Sequence, residues 1–383
     1  MSSQAAHATL LIPGPIEFHD DVLNSMAHHS ESHVGAAFVN VFGETLSMLR
    51  KLFIATAPTD QPLVVSGSGT LGWDFVAANL IKPGEDALVL HTGYFADSFA
   101  DCISTYGGVP TQLKAPVGSR PSIPEIKAAL QEKNYKVITI THVDTSTGVL
   151  SDIQAIAAAV KEVSPSTLVV VDGVCSVGCE EIQFTNWGID VVLTASQKAI
   201  GVPAGLCIMM MSGRAMDAFN NRGVAPGSYF ASFKNWIPIM QNYEAKKPSY
   251  FATPSPQLIR ALHTSLSQFT NDMEGRFKQH KKVSVEVVKA RIEAMGLKQL
   301  ASEPEARANG MTAIYLPEGI TAAELLPKLL AKGVIFAGGL HRECAPKYFR
   351  FGHMGVSVTD GGLGHIEKAL NALEESIKEC KKN

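Results

Sequence analysis

The sequence contains no long apolar run, no CxxC pair of cysteines and no large excess of either charge. A membrane-spanning helix needs about 20 consecutive apolar residues, and no segment of this chain provides them. The N-terminus also lacks the basic and apolar stretches of a secretory signal. The 33 Lys and Arg residues nearly balance the 36 Asp and Glu residues, so charge gives no reason to expect nucleic acid or an anionic membrane as a partner. We therefore expect a soluble, non-secreted protein that acts on small molecules.

Patterns for disulfides and metals are missing as well. The six cysteines form no CxxC module, which is typical of reduced thiols in a cytoplasmic protein. The twelve histidines include no HExxH motif, so we expect no bound metal. The ending Cys380-Lys381-Lys382-Asn383 is not a peroxisomal signal of the Ser-Lys-Leu type. We expect a cytoplasmic protein, although the sequence leaves a mitochondrial or peroxisomal location open.

The chain length and the order of its patterns predict a two-domain α/β protein. Because 383 residues exceed the usual size of one hydrophobic core, we expect an N-terminal arm (1–14), a large domain (15–255) and a small C-terminal domain (256–383). Between residues 62 and 211, short β-branched runs alternate with amphipathic stretches, which indicates βα units in a largely parallel sheet. The predicted strands are 63–66, 87–90, 137–141, 168–171, 191–194 and 206–210, and the predicted helices are 70–81, 96–106, 122–131 and 153–163.

The pattern changes in the last third of the chain. Residues 226–256 are rich in aromatic residues, Pro and Gly with little periodicity, and this predicts a long irregular segment. The following residues predict a smaller α+β domain. Its predicted helices are 257–295, 322–332 and 362–378, and its predicted strands are 312–316, 334–337 and 348–352.

The first motif that carries chemistry is a turn between a strand and a helix. The segment Ser66-Gly67-Ser68-Gly69-Thr70 brings free backbone N–H groups and hydroxyls to the positive end of a helix, which favours a phosphate site. The segment is neither a P-loop nor a complete GxGxxG motif. The alternative is an ordinary turn capped by Ser68 or Thr70.

An acid and an amine follow two later strands. Asp172 ends the apolar run 168–171, where a carboxylate could pair with a cationic ring nitrogen, although turn or cap aspartates are as common. Lys198 follows the run 191–194, and a partly desolvated amine there could form a Schiff base. Most such lysines instead lay their stems on apolar surface. Phosphate anchor, ring-nitrogen partner and lysine are together what pyridoxal 5′-phosphate requires, and their coincidence at comparable strand ends predicts this cofactor.

An arginine on a later strand could bind a substrate carboxylate. Arg350 lies between aromatic residues in Lys347-Tyr348-Phe349-Arg350-Phe351-Gly352-His353. A planar guanidinium held there could bind a carboxylate through two parallel hydrogen bonds. A structural ion pair in the small domain is the alternative.

These motifs resemble those of the class V aminotransferases of fold type I, within them the alanine–glyoxylate and serine–pyruvate group of the fungal type. The resemblance implies a mostly parallel, seven-stranded sheet flanked by helices, with a smaller α+β C-terminal domain. It covers essentially the whole chain, since the motifs occur in the family's order. The matching segments are Leu11-Ile12-Pro13-Gly14-Pro15, Ser66-Gly67-Ser68-Gly69-Thr70, Thr141-His142-Val143-Asp144-Thr145-Ser146-Thr147-Gly148, Val171-Asp172-Gly173-Val174-Cys175-Ser176, Ser196-Gln197-Lys198-Ala199 and Arg350-Phe351-Gly352-His353-Met354-Gly355.

The resemblance assigns roles around the cofactor ring. Lys198 would form the Schiff base and move the proton during amino transfer. Asp172 would pair with the pyridine nitrogen, and Val174 would lie against the ring face opposite the substrate. Phe95 would stack on the ring, where relatives often have Trp, and Thr145 would contact the ring hydroxyl. The implied reaction is the transfer of the amino group of alanine, or of serine, to glyoxylate, with glycine and pyruvate as products from alanine.

The resemblance also assigns the phosphate and substrate contacts. The phosphate-binding residues of the same subunit would be Ser68, Gly69, Thr70 and Gln197. Tyr250 and Thr253 match positions that reach the phosphate of the neighbouring subunit, which implies a homodimer with shared active sites. Gly14 and Arg350 would contact the substrate.

Two observations limit the resemblance. Residues 32–38, Ser-His-Val-Gly-Ala-Ala-Phe, depart from the family pattern near the substrate entrance, which leaves the choice of amino acid open. Cys344 could match the nucleophile of the related cysteine desulfurases, but Gln197 stands where those enzymes usually have His.

A function of a different class is the alternative to an enzyme. The chain would then be a non-catalytic α/β module that binds phosphate or a nucleotide, with Lys198 and Asp172 in structural roles.

Overall fold

The computed structural model describes residues 4–381 and is built around one seven-stranded sheet. The ends of the predicted arm and small domain, residues 1–3 and 382–383, lie outside the described residues. A two-stranded and a three-stranded sheet are formed by the remaining strands. The strands are β1 Thr9–Leu10, β2 Gln61–Ser66, β3 Asp86–His91, β4 Val109–Lys114, β5 Val137–Thr141, β6 Leu168–Asp172, β7 Val191–Ala195, β8 Leu206–Met211, β9 Met311–Tyr315, β10 Val334–Ile335, β11 Ala337–Gly338 and β12 Tyr348–Gly352.

The large sheet is mostly parallel, as predicted. Its order is β2-β8-β7-β6-β5-β3-β4, and only β8 runs antiparallel to its neighbours. The four central strands from β5 to β8 are completely buried, because helices cover both faces of such a sheet. All six strands predicted between residues 62 and 211 are present. Strand β4 was not predicted, since this edge strand contains Pro110 and lacks an apolar run.

The helices surround the sheets, and the four predicted between residues 70 and 163 are present. Two of these begin at side-chain caps, since Ser122 forms a capping box with Glu125 and Asp152 caps α6. The helices are α1 Asp20–Met26, α2 Ala36–Leu52, α3 Thr70–Leu80, α4 Tyr94–Thr105, α5 Ile123–Glu132, α6 Ile153–Val163, α7 Gly213–Asn220, α8 Phe233–Glu244, α9 Pro256–Phe269, α10 Met273–Lys282, α11 Ala290–Ala294, α12 Ala322–Ala331, α13 Val356–Thr359 and α14 His365–Cys380.

Two sequence predictions about helices were wrong. The segment 226–256 is not irregular throughout, because it contains the helix α8, whose interior Pro238 obscures the helical signal. The predicted helix 257–295 is divided into α9, α10, a π-helical stretch Val283–Lys289 and α11. The break after α9 falls at Thr270, where Asp272 caps the next helix with its side chain.

The hydrophobic core is divided into clusters that follow the sheets. The first surrounds the large sheet and includes residues from Val22 to Met273, so that α9 packs in it. The second combines Leu11 with residues 288–377 around the three-stranded sheet. A third lies between them and includes Ala199 and Tyr348. No helix in residues 4–381 has the length and apolar character to cross a membrane.

The sheet topology places three loops at one edge. Strand β2 ends at Ser66, β6 at Asp172 and β7 at Ala195. Since β2 and β7 both pair with β8, Ser66 lies opposite Leu206, and Ala195 lies opposite its neighbour Cys207. The loops after the three strands therefore meet at the carboxyl edge of the sheet, where open α/β sheets bind ligands.

Candidate active site

A cavity of about 230 Å³ lies where these loops meet. The residues that line it come from the start of α3, from α4 and from the loops after β5, β6 and β7. They thus combine segments that are far apart in the sequence. The predicted site residues among them are Ser68, Gly69, Thr70, Phe95, Thr145, Asp172, Val174, Gln197 and Lys198.

Lys198 is a buried amine with an unusual environment. Burial lowers the pKa of its ammonium group, because desolvation disfavours the charged form. Its Nζ donates a hydrogen bond to the backbone carbonyl of Pro13. The next residue, Gly14, has a positive φ of 99°, and a Cβ atom there would overlap the Lys198 side chain. The N-terminal segment thus confines the lysine, and Gly14 lies at the site although it does not line the cavity.

Asp172 faces the cavity with two neutral donors on its carboxylate. Trp73 Nε1 donates to Oδ2 at 2.9 Å, and the backbone N–H of Val174 donates to Oδ1 at 3.0 Å. Burial nevertheless raises the pKa of Asp172 to about 6. Because neutral donors compensate burial only in part, this carboxylate is well suited to a cationic partner in the cavity.

The start of α3 forms the proposed phosphate end of the cavity. Ser68 and Thr70 are exposed toward it, so their hydroxyls and the first helical N–H groups are accessible. Gly69 is buried, and a Cβ atom there would lie 2.8 Å from Val174 Cγ2. Glycine therefore allows α3 to approach the loop after Asp172 closely.

Arg350 lies beside the cavity. Its Nε donates to the Gly338 carbonyl at 2.8 Å, and its Nη1 donates to the Thr145 carbonyl at 3.1 Å. In the described part of the chain Nη2 has no hydrogen-bond partner and Arg350 has no ion pair. The alternative role of Arg350, a structural ion pair, is therefore absent within residues 4–381. The Nη2 side of the guanidinium is available to bind a carboxylate.

Tyr250 and Thr253 do not line the cavity. Both are exposed, and the Tyr250 ring packs at 5.2 Å from the ring of His33. One chain therefore brings together the cofactor positions predicted within a subunit but not these two. Their predicted role belongs to a second subunit and stays a prediction.

Sequence reasoning missed several residues that line the cavity. Trp73 is the most informative, because it binds Asp172 and stacks on Phe99 with ring centroids 5.4 Å apart. Its position one turn into α3, after the phosphate turn, was the available signal. Cys175 was taken as a simple core residue, but it also lines the cavity. The others are Thr141 and Val143. Cys344, the alternative nucleophile of the desulfurase type, does not line it.

Comparison with known proteins identifies the family. The Aminotransferase class-V family matches residues 17–358. The chain belongs to the class V aminotransferases. It is 41% identical to alanine–glyoxylate aminotransferase 1 of Saccharomyces cerevisiae, over 97% of this chain and 98% of that protein. It is 29% identical to a serine–glyoxylate aminotransferase of Hyphomicrobium methylovorum, over 97% of this chain and 89% of the relative. The crystal structure of an alanine–glyoxylate aminotransferase from Nostoc sp. superposes with a TM-score of 0.89 at 26% identity, covering 98% of this chain and 96% of that one.

Class V aminotransferases depend on pyridoxal 5′-phosphate, and the cavity residues fit this group. Asp172 needs a cationic partner, and Lys198 is an amine with a lowered pKa. The side-chain amide of Gln197 has a buried oxygen without a partner among residues 4–381. Unsatisfied buried polar atoms are rare in native proteins, so this amide is suited to a ligand. The predicted fold class, enzyme class and cofactor are thus confirmed.

Proposed function

We propose that this class V aminotransferase transfers the amino group of alanine to glyoxylate, giving pyruvate and glycine. The observation that carries the proposal is the single cavity that combines the Lys198 amine, the Asp172 carboxylate and the start of α3. Arg350 beside it supplies a site for the carboxylate that both substrates share. A non-catalytic phosphate-binding module would have no use for this combination.

The relatives support the acceptor more strongly than the donor. Glyoxylate appears in the names of the yeast and Nostoc proteins and also in that of the Hyphomicrobium protein. The donor in those names is alanine in two cases and serine in one. The higher identity to the yeast protein favours alanine, and serine is the alternative donor.

The chain's residues would hold the cofactor as follows. Pyridoxal 5′-phosphate, when bound, provides a ring that accepts electrons from the substrate carbon. Ser68, Gly69 and Thr70 bind the phosphate with hydroxyls and helix N–H groups. Asp172 holds the ring nitrogen in its cationic form, with its own position fixed by Trp73. Gln197 is assigned to the phosphate as a further ligand, and the remaining ring contacts are assigned to Phe95, Thr145 and Val174.

Lys198 and Arg350 would act on the substrate. A buried amine with a lowered pKa is neutral for a larger part of the time, so Lys198 can accept the proton from the substrate carbon and return it to the cofactor carbon. Arg350 binds the substrate carboxylate, and Gly14, whose missing Cβ atom allows the close approach of the Lys198 side chain, is assigned to the substrate as well. The Thr145 carbonyl connects the arginine to the cavity wall.

We also propose a homodimer and a two-domain chain. Tyr250 and Thr253 are exposed and would complete the phosphate site of the neighbouring subunit. The separate cores around the large and three-stranded sheets support a large and a small domain, for which we keep the divisions 1–14, 15–255 and 256–383. Helix α9 follows the boundary at residue 255 in the sequence but packs in the core of the large domain. The packing boundary between the two domains therefore lies after α9.

Half-reactions test this function directly. We expect the visible absorption of the cofactor-loaded enzyme to bleach on addition of alanine and to return on addition of glyoxylate. The Lys198→Ala variant should lose at least about a thousandfold in rate, since the proton-transfer group is removed. Lys82→Ala, at a half-buried position outside the cavity, is the matched control and should keep wild-type activity.

Three outcomes would contradict parts of the proposal. Full amino transfer by Lys198→Ala would reject the assigned lysine. Bleaching by serine but not by alanine would replace the donor. A failure of glyoxylate to restore the absorption after alanine would reject the acceptor.

A further inference from the structure

One arginine of α10 connects the loops that carry the acid and the amine of the cavity. Arg276 donates from Nε to the Gly178 carbonyl at 2.7 Å and from Nη2 to the Ala199 carbonyl at 2.6 Å. Ala199 directly follows Lys198, and Gly178 lies in the loop after Asp172. Because the guanidinium is rigid and planar, these two hydrogen bonds fix the spacing of the two loops.

The environment of Arg276 is unusual for a structural contact. Its guanidinium lies over the Phe269 ring, 3.8 Å from the centroid. Burial lowers its pKa to about 10, so the group is still cationic at neutral pH. Within the described residues it forms no ion pair, and its partners are backbone carbonyls and an aromatic face. Arg276 is half-buried, and a partly desolvated cation without a carboxylate partner has a cost that a simple packing contact between α10 and the loops would not require.

His280, one turn later on α10, holds a third loop. Its Nδ1 lies 2.9 Å from the Arg276 carbonyl, and its Nε2 accepts a hydrogen bond from the Gly355 N–H at 3.1 Å. Burial lowers the pKa of His280 to about 3, so the ring is neutral and Nδ1 carries the proton. Gly355 lies in the turn after β12, the strand that carries Arg350.

We propose that Arg276 and His280 are positioning residues that hold the loops of Asp172, Lys198 and Arg350 in a fixed arrangement. The inference rests on the proposed roles of those three residues. Two side chains of α10 thus contact the loops that follow Asp172, Lys198 and Arg350. A displacement of about 1 Å can cost about a hundredfold in rate, so such contacts have catalytic consequences without touching substrate or cofactor.

The two side chains should have different kinetic effects. Arg276 acts on the residue next to Lys198, so its loss should lower kcat more than it changes KM. His280 acts on the turn after Arg350, so its loss should raise KM for both carboxylate substrates more than it lowers kcat. A contact that only stabilises the fold would change neither parameter selectively.

The first experiment replaces Arg276. We expect Arg276→Met to lower kcat about tenfold or more with KM changed less than about threefold. The pH midpoint of the cofactor's visible absorption should also shift, since the amine moves relative to Asp172. Arg276→Lys, which reaches only one carbonyl, should give an intermediate effect and serves if the Met variant does not fold. Arg222→Met is the matched control, because Arg222 is a buried arginine that likewise donates only to backbone carbonyls, those of Ala78 and Ile81.

The second experiment replaces His280. His280→Leu removes both hydrogen bonds and should raise KM for alanine and glyoxylate about tenfold. His280→Gln offers one donor and one acceptor and should restore most of the affinity. Binding of acetate to the cofactor-loaded enzyme, measured from the absorption change, should be weakest in His280→Leu and close to that of the wild type in His280→Gln.

Specific results would overturn the proposal. It fails if the loss of kcat, compared with the loss in the free energy of unfolding, is the same for Arg276→Met and Arg222→Met. It also fails if the pH midpoint of the cofactor absorption is unchanged in Arg276→Met. The His280 part fails if His280→Leu and His280→Gln have equal KM values. The pH midpoint and acetate binding need no amino transfer, so they test the positioning residues even if alanine and glyoxylate are not the substrates.

Discussion

At the scale of single residues, Asp172 is a buried carboxyl for which we propose the cationic ring nitrogen of the cofactor as partner. Its ordinary carboxyl pKa of 3.8 is raised to about 6 by burial. Trp73 and the Val174 N–H stabilise the ionised form but do not offset the desolvation. A cationic ring nitrogen in the cavity would supply the missing stabilisation, since an opposite charge favours the ionised carboxyl.

This leads to a prediction for the cofactor-free enzyme. The folded state holds the Asp172 proton more tightly than the unfolded chain, so this carboxyl contributes stability at low pH that is lost as the pH rises through about 6. Asp172→Asn removes the titration. We expect the free energy of unfolding of the wild type, relative to that of the variant, to fall by about 2 kcal/mol between about pH 4.5 and 7.5. Urea unfolding at several pH values measures this difference.

The cofactor-loaded enzyme provides the control. With a cationic partner bound, the carboxyl is expected to stay ionised, and the pH-dependent difference should largely disappear. If the difference is the same with and without cofactor, Asp172 does not face the ring nitrogen. If it is absent in both states, burial does not raise the Asp172 pKa.

At the scale of elements, the start of α3 depends on close packing with the sheet. A Cβ atom on Gly69 would lie 2.8 Å from Val174 Cγ2 and 3.1 Å from Ala195 Cβ. Its backbone is in the ordinary helical region, with φ −57° and ψ −30°, so alanine would suffer steric overlap and no backbone strain. The extra methyl group must move α3 away from the loop after Asp172.

Gly69→Ala should therefore weaken cofactor binding. We expect the Kd of pyridoxal 5′-phosphate to rise about tenfold or more, and the free energy of unfolding to fall by about 1–3 kcal/mol because of overpacking. Gly361→Ala is the matched control, since its Cβ atom would meet nothing within 4 Å. Titration of the cofactor-free variants, followed by absorbance, measures the affinity. Equal affinity of the two variants would contradict the assignment of α3 as the phosphate site.

The sequence predicted elements well where burial leaves a periodic pattern. The strands next to the cavity are apolar and buried, and all of them were predicted. Strand β4 was missed because an edge strand is only half covered and Val109 remains 45% exposed. Helix α2 was also missed, although Phe38, Phe42 and Leu46 recur at helical spacing.

The site was predicted to the extent that its residues lie in local motifs. Lys198, Asp172 and the phosphate turn each follow a strand, so their convergence follows from sheet topology. The contact between Trp73 and Asp172 joins positions 99 residues apart and depends on how α3 packs on the sheet. The contacts of Arg276 could not be predicted either, because it binds backbone carbonyls. Every residue has such a carbonyl, so the sequence does not indicate which ones Arg276 reaches.

At the scale of the whole molecule, exposed aromatic residues flank α8 in the sequence. Tyr229 is 81% exposed, Phe230 42% and Tyr250 63%. Tyr229 packs on Phe251 with ring centroids 5.5 Å apart. Exposed aromatic residues are typical of an interface, and these lie in the segment whose Tyr250 and Thr253 are assigned to the neighbouring subunit's phosphate site. Dimerisation and cofactor binding should therefore be coupled.

Tyr229→Lys tests this coupling. Lysine cannot be buried without cost, so the variant should dissociate into monomers at concentrations where the wild type is a dimer. Because each monomer lacks the partner's Tyr250, its Kd for the cofactor should rise about tenfold or more. Leu330→Lys on α12 is the matched control, since Leu330 is a 55% exposed apolar residue of the small domain. Sedimentation equilibrium and cofactor titration on the same samples measure both effects. A monomeric wild type would reject the dimer, and a monomeric Tyr229→Lys variant with unchanged cofactor affinity would reject the shared site, because the phosphate would then be held by one chain alone.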